Sequence, residues 1–374
     1  MPEVLLVVGT RPEAIKLLPV YRALRARGAE VTVLTTGQHR EMVEPLMEVL
    51  GFPPDISLAI EDGAPSLAQL SSRLLAAFDA PLLSRRPAWI VVQGDTTSVA
   101  MGALAGYYHD VPVAHVEAGL RTFRPREPFP EELNRQIVSR IASLHFAPTE
   151  GARANLRREG IPDDQIHVVG NTIVDALQDI RSRVLPSVPD DPALSPILSS
   201  SRPLMLVTAH RRENHGLGIA SLADALARLA REAGDSLQIA LPVHLNPLAS
   251  QPIRDRLSGI PGIHLLPPLL YPQFLKLLTR AALVLTDSGG VQEECAVLGI
   301  PLLIARNVTE RAEAVECGVG EIVGVDPELI FAAAMRLISD PTARAARAVP
   351  STAFGDGRAG ERIAARLAPQ GLRV

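Results

Sequence analysis

Two carboxylates stand just after short apolar runs in the first half of the chain, Asp95 in V-V-Q-G-D-T-T and Glu117 in V-E-A-G-L-R-T. If both runs are neighbouring strands of one parallel sheet, the two acids sit at adjacent strand ends. Mutual repulsion then separates their proton affinities, so that one waits protonated while the other accepts a proton. The plainer roles are an N-cap for Asp95 on a helix starting near Thr97 and a loop salt bridge for Glu117. Downstream, P-F-P-E-E-L-N-R-Q places Glu131 and Arg135 four apart on one helical face, as a simple ion pair or as a third acid with its orienting cation. In the second half, L-M-L-V-T delivers A-H-R-R-E-N, so His210 follows a strand end with Arg211 and Arg212 beside it. Imidazole is the side chain best suited to proton transfer near neutral pH, although a lone histidine is more often structural.

Anion binding is indicated in two other places. The first apolar run leads into G-T-R-P-E-A-I-K, where a glycine allows a tight turn, Pro12 suits the first turn of a helix, and Arg11 and Lys16 add cations near its N-terminus. A capped helix with surface cations explains the same residues more plainly. In the second half, L-V-L-T-D-S-G-G-V-Q-E-E reads as a buried strand that passes through Asp287, Ser288, Gly289 and Gly290 into a helix. Amides at such a helix start cradle a diphosphate and the Ser288 hydroxyl adds a donor. Glu293 and Glu294 lie one turn in, where a carboxylate can take both hydroxyls of a ribose. The combination points to a nucleotide, with Arg311 in T-E-R-A-E-A as a further anion ligand. The alternative is an ordinary glycine-containing turn whose acids offset the helix dipole. Neither the dinucleotide G-x-G-x-x-G nor the Walker motif is present, and no G-x-S-x-G or H-E-x-x-H spacing supports a hydrolase or a zinc peptidase.

The elements that must position these residues follow a β/α rhythm. Apolar runs at 4–8, 31–35, 89–92, 113–116 and 166–169, then at 204–207, 237–241, 263–266, 283–286 and 302–304, alternate with amphipathic stretches. Continuous rather than alternating runs mark strands buried on both faces of a parallel sheet. Two series imply an α/β chain of two Rossmann-like, doubly wound domains facing across a cleft, which suits 374 residues. The expected division is 1–184 for the first domain, a proline- and serine-rich linker at 185–202, and 203–354 for the second. A short amphipathic helix within 355–374 is expected to pack back on the first domain. With 47% hydrophobic and 21% charged residues the chain can bury a core. A net charge of −4 without charge blocks argues against nucleic acid as a partner. No apolar run reaches the roughly 20 residues of a membrane helix and no signal peptide is seen, so a cytoplasmic protein without a membrane partner is expected. The two cysteines, Cys295 and Cys317, fit neither a metal motif nor a disulfide framework.

The segments G-T-R-P-E-A-I-K, Q-H-R-E-M, G-D-T-T, H-V-E-A-G-L-R-T, P-E-E-L-N-R, G-N-T-I-V-D-A-L, H-R-R-E-N, P-V-H-L-N-P, L-T-D-S-G-G-V-Q-E-E and T-E-R-A-E-A-V run in this order from Gly9 to Val315. With them the chain resembles the bacterial non-hydrolysing UDP-N-acetylglucosamine 2-epimerases. That resemblance implies a fold of the glycosyltransferase B type with the active site between its domains, usually in a homodimer. It implies interconversion of UDP-GlcNAc and UDP-ManNAc through loss of UDP to a 2-acetamidoglucal and its re-addition, with no metal and no cofactor.

Carried over by motif, the resemblance makes Asp95, Glu117, Glu131 and His210 catalytic, with Arg135 orienting Glu131 or meeting the sugar. It places Arg11 and Lys16 near the diphosphate, Ser288, Gly289 and Gly290 on the phosphates, Glu294 on the ribose, Phe274 at the uracil and Arg311 near the nucleotide. A second, activating UDP-GlcNAc would meet Gln38, Arg73, Arg211 and His244. The competing readings are a retaining glycosyltransferase of the same fold, a nucleotide-sugar sensor without turnover, and an epimerase of another UDP-2-acetamido sugar.

Overall fold

The apolar runs become parallel strands whose side chains are buried on both faces. The computed structural model describes residues 3–38, 40–60, 66–189, 191–209, 217–243 and 247–369. The chain divides into two compact units, one of residues up to Ser182 together with those from Gly355 onward, the other Arg183–Phe354.

The first unit holds seven strands, β1 (Glu3–Val8), β2 (Glu30–Thr35), β3 (Ile56–Ser57), β4 (Trp89–Gln93), β5 (Val113–Val116), β6 (Leu144–Ala147) and β7 (Ile166–Val168). Their order is β3-β2-β1-β4-β5-β6-β7, all parallel. The order reverses between β1 and β4, and the carboxyl ends at such a reversal are where open α/β sheets take ligands. Val4 to Val8 are wholly buried, and so are Ile90, Val91 and Val92, which is why these strands read as unbroken hydrophobic runs. β6 is the short run L-H-F-A, and His145 is fully buried between Leu144 and Phe146.

The second unit repeats the plan with β8 (Leu204–Thr208), β9 (Gln238–Pro242), β10 (Ile263–Leu266), β11 (Ala281–Thr286), β12 (Leu302–Ile304) and β13 (Gly320–Ile322), ordered β10-β9-β8-β11-β12-β13. Its reversal lies between β8 and β11, so Ala209 on one side and Asp287 and Ser288 on the other leave the sheet at equivalent places. Its core fills the face between the sheet and the helices Leu217–Ala233 and Pro327–Ser339, with Leu226, Leu229, Ile330 and Leu337 buried.

The segment expected as a linker belongs to the second unit and is partly helical. Leu194 and Ile197, around the short helix Ser195–Leu198, are buried. The Gln238 side chain donates to the Ile197 carbonyl at 3.0 Å, Lys276 Nζ donates to the Val188 carbonyl at 2.9 Å, and Gln273 donates to Asp191 at 2.8 Å. Prolines there break regular structure without freeing the chain. After Phe354 the backbone returns to the first unit, where the helix Ala359–Leu367 lies on the helices Arg11–Ala26 and Thr172–Asp179. Gly360 donates its amide to Asp175, and a Cβ at Gly360 would lie 2.8 Å from the backbone of Pro19. Gly360→Val is therefore expected to destabilise the first unit by about 1–3 kcal/mol through overpacking, read as a lower denaturation midpoint. An unchanged midpoint would contradict this contact.

Candidate active site

The site residues of the first unit hang from the carboxyl ends of β1, β4 and β5. Glu117 follows β5 with φ +65°, a left-handed conformation uncommon outside glycine and typical of functional turns. Its Oε2 is 2.5 Å from Lys16 Nζ, and both side chains are almost completely buried. The side-chain amide of Gln93, at the end of β4, donates to the same oxygen. His115, two residues earlier, is pushed down to about 3 by burial and so stays neutral. Its Nε2 donates to the Gly94 carbonyl at 2.7 Å and ties the end of β5 to the turn after β4.

Asp95 lies in that turn, half-buried. Arg135, on the helix Glu131–Ile141, donates to its carboxylate through Nε at 2.8 Å and pairs with it through Nη2 at 2.6 Å. The Asn134 amide donates to the Asp95 carbonyl at 2.9 Å. Arg135 Nη1 also pairs at 3.1 Å with Glu132, which is wholly buried and accepts the amides of Thr122 and Phe123. Glu131 opens the same helix, half-buried, as its first residue. The N-cap of the helix after Asp95 is Thr96, whose Oγ1 accepts from the Val99 amide, so Asp95 is not used as a cap.

The first helix begins at Arg11, whose burial holds its guanidinium below the ordinary value. Glu13, two residues on, is buried and accepts from the Gly9 amide at 2.6 Å and from the hydroxyls of Thr10 and Thr96, each at 2.9 Å. Burial raises this carboxyl to about 7 against those donors. Of the residues expected at a regulatory site, Gln38 accepts from Ser98 Oγ at 3.2 Å, and Arg73 is exposed on the helix Leu67–Ala77. His210, Arg211 and His244 lie outside the described residues.

The second unit presents the helix Gly289–Leu298 after β11, with Ser288 as N-cap. The Ser288 hydroxyl makes no capping bond to its own helix, and among the described residues a Cβ on Gly290 would meet nothing within 4 Å. Gly289 is closed instead. A Cβ there would lie 2.8 Å from the Arg311 guanidinium carbon, so only glycine lets that cation lie against the helix start. Arg311 joins a buried chain of alternating charge. Its Nε donates to Glu293 at 2.9 Å and its Nη1 to Glu310, which in turn accepts from Arg306 at 2.8 Å. Glu294, one turn into the helix, accepts from the buried Tyr271 hydroxyl at 2.9 Å. Phe274 is half-buried, with its ring stacked at 6.4 Å and 27° on that of Tyr271.

Each unit thus gathers its own share of the expected residues. The first holds Arg11, Lys16, Asp95, Glu117, Glu131 and Arg135, and the second holds Phe274, Ser288, Gly289, Gly290, Glu294 and Arg311. Reading by motif passed over Glu13, Gln93, Glu132, Tyr271 and Glu310. Thr10-x-x-Glu13 has the capping-box spacing and so carried a signal. The others are ordinary polar residues whose partners only the fold reveals.

A family model described as UDP-N-acetylglucosamine 2-epimerase matches residues 22–368. The chain belongs to the UDP-N-acetylglucosamine 2-epimerase family. It is similar to the UDP-N-acetylglucosamine 2-epimerase of Yersinia pestis, 43% identical over 366 residues, which is 96% of this chain and 97% of that protein. The crystal structure of UDP-GlcNAc 2-epimerase from Neisseria meningitidis bound to UDP-GlcNAc superposes with a TM-score of 0.92 at 36% identity, covering 98% of this chain and 99% of that one. The Methanocaldococcus jannaschii UDP-GlcNAc 2-epimerase in complex with UDP-GlcNAc and UDP gives 0.85 at 34% identity, over 98% and 99%. The fold alone extends to a glycosyltransferase of kitacinnamycin, with a TM-score of 0.63 at 13% identity. In this epimerase family member, Glu13 generates a prediction about pH. A buried carboxyl raised from 4.5 to about 7 favours the neutral form, so its stabilisation is complete below the unfolded value and is lost as pH rises through about 7. Wild-type stability is expected to fall from about pH 5 to about pH 8 relative to Glu13→Gln in parallel denaturant titrations, whereas parallel curves would contradict it.

Proposed function

We propose that the protein interconverts UDP-GlcNAc and UDP-ManNAc by expelling UDP from C1 and returning it after C2 has exchanged its hydrogen. The observation that carries this reading is the pair of carboxylates at neighbouring strand ends, Asp95 held by Arg135 and Glu117 held by Lys16. A hydrogen beside an acetamido group is too weakly acidic for a side-chain base. Breaking the C1–O bond first develops positive charge at C1 and acidifies that position. The C2–H electron pair then becomes the C1=C2 bond of a 2-acetamidoglucal, and a carboxylate takes the proton. A second acid delivers a proton to the opposite face of C2 while a β-phosphate oxygen re-forms the bond to C1. Two separately anchored proton-transfer groups are what this sequence demands, and a glycosyltransferase or a sensor has no use for them.

The parts divide by chemistry. At the helix start after β11, the amides of Ser288, Gly289 and Gly290 and the Ser288 hydroxyl donate to the diphosphate, backed by the Arg311 charge, and stabilise it as it leaves. Glu294, oriented by Tyr271, takes the ribose hydroxyls, and Phe274 offers its face to the uracil. Arg11 and Lys16 add positive charge at the end of β1. Asp95, Glu117, Glu131 and His210 are the proton-transfer set, with Arg135 orienting Asp95 as well as serving the sugar. Gln38, Arg73, Arg211 and His244 are proposed to receive an activating UDP-GlcNAc. A homodimer acting in the cytoplasm is part of the same reading. Among the described residues no helix is long and apolar enough to cross a membrane.

Incubation with UDP-GlcNAc in deuterium oxide is expected to place deuterium at C2 of both epimers, and unlabelled epimers would reject the mechanism. Asp95→Asn is expected to lower turnover by about 100-fold or more while leaving UDP affinity near the wild-type value. An unchanged rate would remove Asp95 from the set.

A further inference from the structure

The first helix turns two buried ionisable side chains to the same side, three residues apart. Lys16 reaches the end of β5 and holds Glu117. Glu13 reaches the end of β4, where its Oε1 accepts from Thr96, the residue after Asp95. The same oxygen accepts from Thr10, and Oε2 accepts the Gly9 amide in the turn that leads to Arg11. The two turns abut without slack. A Cβ added to Gly9 would come 2.5 Å from the Ser98 side chain and 3.2 Å from Glu13 Oε2. A carboxyl group that is 2% exposed cannot serve a surface role, and three donors from two turns converge on it.

We propose that Glu13 is a positioning residue for the reaction, fixing the turn that carries Asp95 against the turn that carries Arg11. Where Lys16 acts on Glu117 by direct pairing, Glu13 acts on Asp95 through Thr96, and the inference rests on the epimerase reading above. Its action is geometric. A catalytic carboxylate displaced by about 1 Å loses about two orders of magnitude in rate. Thr96 is the partner through which the effect passes, since its hydroxyl joins Glu13 to the backbone beside Asp95.

The full-length protein tests this through C2 deuterium incorporation, with kcat, KM, UDP affinity and melting temperature measured on the same samples. Glu13→Gln is expected to lower kcat about tenfold or more, a larger factor than its effect on UDP affinity, which passes only through the turn that leads to Arg11. Thr96→Val should act in the same direction, and Thr96→Ser, which keeps the hydroxyl, should restore the wild-type rate. Because the two residues act as a unit, Glu13→Gln with Thr96→Val should be no slower than Glu13→Gln alone. Should Glu13→Gln fail to fold, the Val and Ser variants at Thr96 decide the matter. Folded variants that turn over within about twofold of wild type, or single effects that multiply in the double variant, would overturn the inference while a labelled wild type leaves the epimerase reading intact. A wild type that places no deuterium at C2 would overturn both.

Discussion

An ionised side chain taken out of water must meet an opposite charge or a set of donors, because its desolvation otherwise exceeds what the fold can supply. The groups assigned to chemistry here obey that constraint at close range: Lys16 with Glu117, Arg135 with Asp95 and Glu132, Arg311 with Glu293 and Glu310. Breaking a fully buried pair such as Lys16 with Glu117 costs about 3–5 kcal/mol, so the pair fixes its members as firmly as core packing fixes an aliphatic side chain. Reactive carboxylates can then stand at strand ends in one orientation before any ligand arrives, which is the preorganisation that proton transfer needs.

Both sheets serve this arrangement by the same topology. In each, the strand order reverses beside the first strand of the unit, and the residues proposed for the chemistry leave the strand ends near that reversal. The division of labour lies in the residues that leave the strand ends. The first unit places acids and their counter-cations after β1, β4 and β5. The second places glycines, a serine and a helix start after β11, with its acids one turn deeper. The two units thus differ in residue choice on a repeated backbone plan, and the fold of that plan extends to the 13%-identical glycosyltransferase.

Much of this was legible in the sequence, for identifiable reasons. Strands such as β1 and β11 are continuous apolar runs because both faces are buried, and Asp95, Glu117 and Ser288 come soon after strand ends of this kind. Local signals also located the Arg11 and Gly289 helix starts. What escaped was whatever depends on contacts distant in sequence. Glu117 pairs with a lysine 101 positions away and Asp95 with an arginine 40 away, and no spacing rule links them. In β6, burial holds His145 down to about 4 and keeps it neutral in the sheet, an environment that the sequence alone does not show. The proline-rich 185–202 segment read as a linker because composition reports the lack of regular structure but not the hydrogen bonds that bind it to the second unit.

The most direct test of the account is a double-mutant cycle on the Lys16–Glu117 pair, with C2 hydrogen exchange measured at saturating UDP-GlcNAc for Lys16→Met, Glu117→Gln and the two combined. If Lys16 works by holding Glu117 in place, the combined variant exchanges no more slowly than Glu117→Gln alone. A combined variant slowed by the product of the two single effects would show that the two residues act independently, and the account of buried pairs setting the catalytic geometry would be wrong.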